Sequence, residues 1–135
     1  MANALYDKAR QRFLEAQFNW LTNNIKAVLV DTGVYTVNLV SHEFLLDISG
    51  ASRIATSGVF TGKTTTGGAA DANDVTFTAV TGASIEAIIL YQDLTTDAAS
   101  PLIAYIDTAT GLPITPNGGD IIVTWDNGPN KIFKL

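Results

Sequence analysis

Cysteine is absent from the chain, which excludes disulfide stapling, thiolate catalysis and cysteine-bound zinc or iron–sulfur centres. Charge is scarce as well, at 16% of residues, and basic residues are the scarcer kind: 8 Lys and Arg against 13 Asp and Glu. The resulting net charge of −5 disfavours nucleic acid as a main partner, because neutralising phosphates takes lysines and arginines. No apolar run approaches the ~20 residues that a membrane-spanning helix needs. Asp7, Lys8, Arg10 and Arg12 interrupt any signal-peptide core near the N-terminus, so the sequence predicts a product made in the cytoplasm with no membrane partner.

What the chain does have is apolar mass. At 135 residues and 47% hydrophobic, it is expected to close one core as a single domain, residues 1–135. The centre of that core is read at Ser84 to Asp107, where two runs, Ile85–Tyr91 and Leu102–Ile106, are rich in β-branched and aromatic residues. Neither run alternates apolar with polar, which predicts strands covered on both faces. Further strands are expected at Ile25–Val30, Arg53–Phe60, Val75–Val80, Ile121–Trp125 and Lys131–Leu135. Asp126-Asn127-Gly128 predicts a tight hairpin joining the last two. The final strand is expected to be tied into a sheet.

Residues 3–16 read as the one long helix, with Asn3 as N-cap and Leu5, Ala9, Phe13 and Ala16 along one side. That face either lies on its own domain or docks on a neighbouring subunit; three basic residues are too few for a membrane surface. Phe18, Trp20 and Leu21 follow as an apolar clasp. Residues 1–21 are thus expected to form helix and clasp, and 25–135 the β-domain. A second short helical turn is expected after Ser41. Thr61 to Asn73, without a large apolar residue, predicts a flexible or partner-facing loop.

Several motifs invite a chemical reading and fail it. Gly58 to Thr64 has three residues before Gly62-Lys63, where a phosphate loop needs four, and no helix pattern follows. Counted as a calcium loop from Asp71, the sixth place holds Thr76 instead of glycine and the twelfth Gly82 instead of glutamate. Asp71, Asn73 and Asp74 suit an Asx turn better than a cation site. His42 lacks a Gly-x-Ser-x-Gly elbow and suits a surface or capping role, and Glu86 suits an edge-strand charge that blocks unwanted pairing. Trp20, Trp125, Tyr91 and Tyr105 are too scattered to predict a stacking platform. No catalytic, cofactor or metal-binding residues are assigned, and the chain is expected not to be an enzyme.

The order of phrases is distinctive: ALYDKARQRFLEAQFNWL, IKAVLVDTGVYTVNL, HEFLLDI, RIATSG, GKTTTGGAADANDVTFTAV and EAIILYQDL, closing with LIAYIDTATGLPITPNGGDIIVTWDNGPNKIFKL. In this order the chain resembles, end to end, a family of short virion structural proteins of tailed bacteriophages. The resemblance implies a non-enzymatic protein that decorates or cements the head, or sits at the neck or tail.

With seven or eight short strands about ten residues apart, the expected fold is all-β, a jelly-roll-like antiparallel β-sandwich with an N-terminal amphipathic helix. The expected function is capsid decoration by a homo-oligomer, a trimer by preference, with the major capsid protein or other virion proteins as partners and the virion as location. The alternative is a tail- or neck-borne adsorption module that binds host-surface glycans. Leu5, Phe13, Phe18, Trp20, Phe133 and Leu135 are the candidate interface residues.

Overall fold

The computed structural model describes residues 3–135; the first two positions of the expected single unit lie outside the described residues. The protein is mostly β, with one α-helix and antiparallel sheets. Its centre is a five-stranded sheet of β1 (Ala4–Leu5), β2 (Ile25–Val30), β3 (Arg53–Thr56), β6 (Ala87–Gln92) and β7 (Leu102–Ile106). The spatial order is β1-β7-β6-β2-β3, every neighbour antiparallel. Two ribbons complete the strands: β4 (Ala69–Ala70) with β9 (Phe133–Lys134), and β5 (Val75–Phe77) with β8 (Ile121–Val123).

The expectation of doubly covered central strands holds. Ile88, Ile89, Leu90 and Tyr91 of β6 are all buried, as are Leu102 to Tyr105 of β7 and Ala27 to Val30 of β2. Cross-strand register sorts their side chains. Ala4, Tyr105, Ile89 and Val28 share one face; Leu5, Ala104, Leu90 and Ala27 share the other. Such strands need apolar residues at every position, which is why alternation is missing from their sequence.

The first face is covered by the long connection between β2 and β3. Arg53 fastens that cover: Nε and Nη2 donate to the carbonyl of Ile48, Nη2 also to that of Leu45, and Nη1 meets Asp97 at 2.7 Å. A 3₁₀ turn at Leu45–Asp47 stands where the helical turn was expected. Ser41 does not cap it: Asp47 accepts from the Glu43 and Phe44 N–H groups, while Asn38 caps the preceding turn through Val40 and Ser41.

The N-terminal segment departs from the sequence reading. Helix α1 spans only Asp7–Leu14 and its N-cap position is Tyr6, not Asn3. Asn3 instead clamps the far end of β7: its Oδ1 accepts from the Asp107 and Thr108 N–H groups, and its Nδ2 donates to the Thr108 carbonyl. That clamp holds Ala4–Leu5 extended as an edge strand, so helix cannot begin before Tyr6. At the other end, Ala16 takes φ 57°, with Ala16 N–H on Phe13 and Gln17 N–H on Arg12. This is a Schellman closure, made here without glycine.

The predicted last hairpin does not form. Asn127 and Gly128 do not take the positive φ of a primed hairpin turn; Asp126 accepts from the Gly128 N–H instead, and β8 pairs with β5 and β9 with β4. Trp125 explains the divergence. Its backbone N–H donates to Asp74 and its indole N–H to the Asn73 carbonyl, which holds this end of β8 beside the 73–74 segment. Phe133 is drawn to a different place, against Trp20 and Phe13. The strand expected over Val75–Val80 is similarly cut short: Ala79 takes φ 51° and its N–H turns to Asp120.

Candidate functional site

Six aromatic rings form a continuous chain outside the five-stranded sheet. Phe18 meets Phe13 at 5.0 Å between centroids, Phe13 meets Phe133 at 6.0 Å, and Phe133 meets Trp20 at 5.4 Å. Trp20 then meets Phe60 at 6.1 Å, and Phe60 meets Trp125 at 5.7 Å. Tilted and edge-on pairs at these separations are favourable beyond their buried area. Trp20 and Trp125, read as scattered in sequence, are linked through a single phenylalanine. Trp20 also donates from Nε1 to the Asp71 carbonyl, which orders part of the threonine–glycine loop. Within that loop Ala69 and Ala70 are buried as β4, while residues 64–68 remain exposed.

These contacts divide the candidate interface residues. Leu5, Phe18 and Trp20 are buried in the chain's own core, and Leu5 also borders an open groove. Phe13 and Phe133 are half-buried against that core, and Leu135 is 65% exposed. The correction has a simple origin. An apolar side chain looks the same in sequence whether it meets its own chain or another.

An open groove of about 1070 Å³ lies where the two ends of the described chain meet. One wall is β1 with Asn3, and the other is the arm from Val123 to Leu135; Ile88, Ala104 and Ile106 contribute from the sheet. Leu5, Phe133 and Leu135 of the candidate interface line it. Arg10, Lys131 and Lys134 bring positive charge to the lining, against Asp126 alone. The volume lies above the roughly 300–1,000 Å³ usual for small-molecule pockets, which suits a chain segment better than a metabolite.

The residues with tempting chemistry are occupied structurally. Tyr6 and Tyr35 place their hydroxyls 2.9 Å apart in the core, and Tyr35 lies 2.7 Å from His42 Nδ1. That nitrogen also meets the Asn38 N–H at 3.3 Å, so the Tyr6 and Tyr35 hydroxyls and the His42 ring stand in one hydrogen-bonded row. Burial pushes both tyrosines above the ordinary phenol range. His42 therefore ends a buried relay that ties the N-terminal segment to the cover over the sheet. Lys63 donates to the Asn23 carbonyl, and a Cβ on Gly62, which has φ +64°, would come within 2.5 Å of Asn73. That packing replaces a phosphate cradle. Asn73 donates to Thr61, and Asp74 holds Trp125.

Glu86 is not an edge charge, because the strand it precedes, β6, lies inside the sheet between β7 and β2. Its Oε1 accepts from the Thr32 N–H and hydroxyl, and its Oε2 from Ser84. Desolvation raises its pKa, but the bonds from Ser84 and Thr32 outweigh this and leave it below the usual carboxylate range. Asp93 is lowered too, first by its hydrogen bond with Lys26 at 3.0 Å. A lowered folded pKa means that the unfolded chain binds the proton more tightly. Their stabilisation is therefore full above the unfolded values and is lost as pH falls through the folded ones. Urea melts from pH 7 to pH 3 should show falling stability below about pH 4.5. Glu86→Gln should flatten part of that slope; an unchanged slope would show that Glu86 does not contribute.

The fold and groove define a mostly β, antiparallel protein with one helix and an open surface groove between its two ends. No protein-family model matches the chain, and no curated protein matches it. Among the described residues no helix is long and apolar enough to cross a membrane.

Proposed function

We propose that this chain is a structural protein of a tailed-bacteriophage virion, a non-enzymatic head decoration or cement protein that binds the capsid surface as a homo-oligomer. The observation that carries the reading is the convergence of the N-terminal strand and the C-terminal arm on one open groove beside a doubly covered sheet. A rigid core with an accessible seam suits a protein whose work is to join neighbours, and repeated copies on a lattice turn modest contacts into firm attachment. The resemblance in the order of sequence phrases supplies the virion setting. On this reading, the central sheet and its facing ribbons are a shortened sandwich of the jelly-roll kind, and a trimer is the expected copy number. Sedimentation should give oligomers, and purified heads should retain the protein. A monomer that washes off heads would overturn the reading.

The second reading, a tail- or neck-borne module for host-surface glycans, is favoured by one observation: residues 64–68 and 94–99 present exposed, hydroxyl-bearing loops. A glycan array with specific hits lost on replacing Thr65 and Thr66 by valine would support it over capsid decoration.

A further inference from the structure

We infer that the groove between β1 and the C-terminal arm is a seat for an extended, acidic segment of a partner protein. The inference names the partner chemistry of the surface on which the proposed function rests.

Three features converge on this occupant. First, β1 is the outermost strand of the five, so one side of its backbone has no strand neighbour, and Asn3, Ala4 and Leu5 all line the groove. An exposed sheet edge accepts an extended chain by main-chain pairing, with alternate side chains read by the walls. Second, the walls suit alternation. Phe133 and Leu135 offer apolar contact, while Asn127 and Asn130 offer amides.

Third, the charge is selective. In a chain of net charge −5, three of the eight basic residues gather at this groove with one acidic side chain, Asp126. Arg10 lies 3.7 Å from Asp7, an exposed pair. Lys131 reaches only the Asn127 carbonyl at 3.4 Å. Neither Lys131 nor Lys134 has a carboxylate partner among the described residues, whereas Arg12, Lys26 and Arg53 all do. Lys131 and Lys134 thus stand beside the open edge without holding the fold; Lys8, also without an ion pair among the described residues, lies elsewhere, near Arg12 and Glu43. Carboxylates on every second residue of an extended segment would meet them, while the apolar residues between face Phe133 and Leu135.

The test uses the whole chain and three fluorescein-labelled probes: a ten-residue peptide alternating aspartate with valine, its lysine–valine counterpart, and a single-stranded oligonucleotide. Anisotropy titrations at low salt should show the acidic peptide binding at least about tenfold more tightly than the basic one. Raising the salt should weaken it. Lys131→Glu with Lys134→Glu should reduce its affinity about tenfold or more, with a far-ultraviolet melt unchanged to show an intact fold. Should that variant melt early, Lys131→Ala with Lys134→Ala is read instead, with a smaller loss expected. Amide shifts of Ala4, Leu5 and residues 123–135 should mark the site. Equal binding of both peptides, tighter binding of the oligonucleotide, or shifts elsewhere would overturn the inference. Retention on heads without peptide binding would remove the acidic occupant alone. Peptide binding without retention on heads would remove the virion reading alone.

Discussion

Trp20→Ala is expected to lower stability by about 3–5 kcal/mol, the range for deleting a large buried aromatic. Its indole is 5% exposed and stands between Phe133 and Phe60, so its loss opens the aromatic chain in the middle. The damage should be uneven. The β4–β9 ribbon and the Ile132 N–H on the Ala70 carbonyl depend on Phe133 being held, whereas β2, β6 and β7 carry their own ladder. Hydrogen exchange should therefore rise first at Ala70, Ile132 and Leu135 and leave Val28 and Leu90 protected. Trp20→Phe keeps most of the packing but withdraws the donor to Asp71, and about 1 kcal/mol is expected for it. A Trp20→Ala protein within 1 kcal/mol of the parent in urea would show that the arm is held by something else.

Ile89→Ala should have a comparable global effect, about 2–5 kcal/mol. Ile89 is fully buried at the middle of β6, between Val28 of β2 and Tyr105 of β7. Its neighbours are fixed by ladders on both sides, so they cannot collapse into the space left by the side chain. The melt should remain a single transition, shifted as a whole, and exchange should rise across β2, β6 and β7 together. Ile89→Val, which removes one methylene group, should cost only about 0.5–1.5 kcal/mol. Loss confined to one strand would mean that the sheet is not the cooperative centre of the fold.

The two variants probe layers that differ in how they are written in the sequence. Ile25–Val30 and Leu102–Ile106 form strands over the residues expected, and β6 is displaced from its expected start by two residues. Each is a run long enough, and apolar enough at consecutive positions, to be readable without its partners. Phe133–Lys134 keeps part of the strand expected over Lys131–Leu135, but Ala4–Leu5 and Ala69–Ala70 are different. Two residues carry no period, and these became strands only because a distant segment lay alongside. The hairpin at Asn127-Gly128 shows the same limit from the other side. Its local signal favours a primed turn that Asn127 and Gly128 do not adopt, because tertiary contacts of Trp125 and Phe133 send the flanking strands to different partners.

The groove was half legible. Leu5, Phe133 and Leu135 were singled out as apolar residues near the two ends, and all three line it. Phe18 and Trp20 were singled out on the same grounds and are core. The positive charge of the lining had no sequence signature, since Arg10 and the lysines at 131 and 134 lie more than a hundred residues apart.

By itself, then, the sequence determined the absence of cysteine chemistry, the β-rich class and the three long strands of a doubly covered sheet, because those follow from composition and from local apolar density. Only the tertiary structure decided which end segments pair, which aromatics meet, that His42 closes a tyrosine relay and that a cationic groove lies beside an open edge. All of these depend on contacts between residues far apart in the chain, and their strength comes from being brought together and shielded from water.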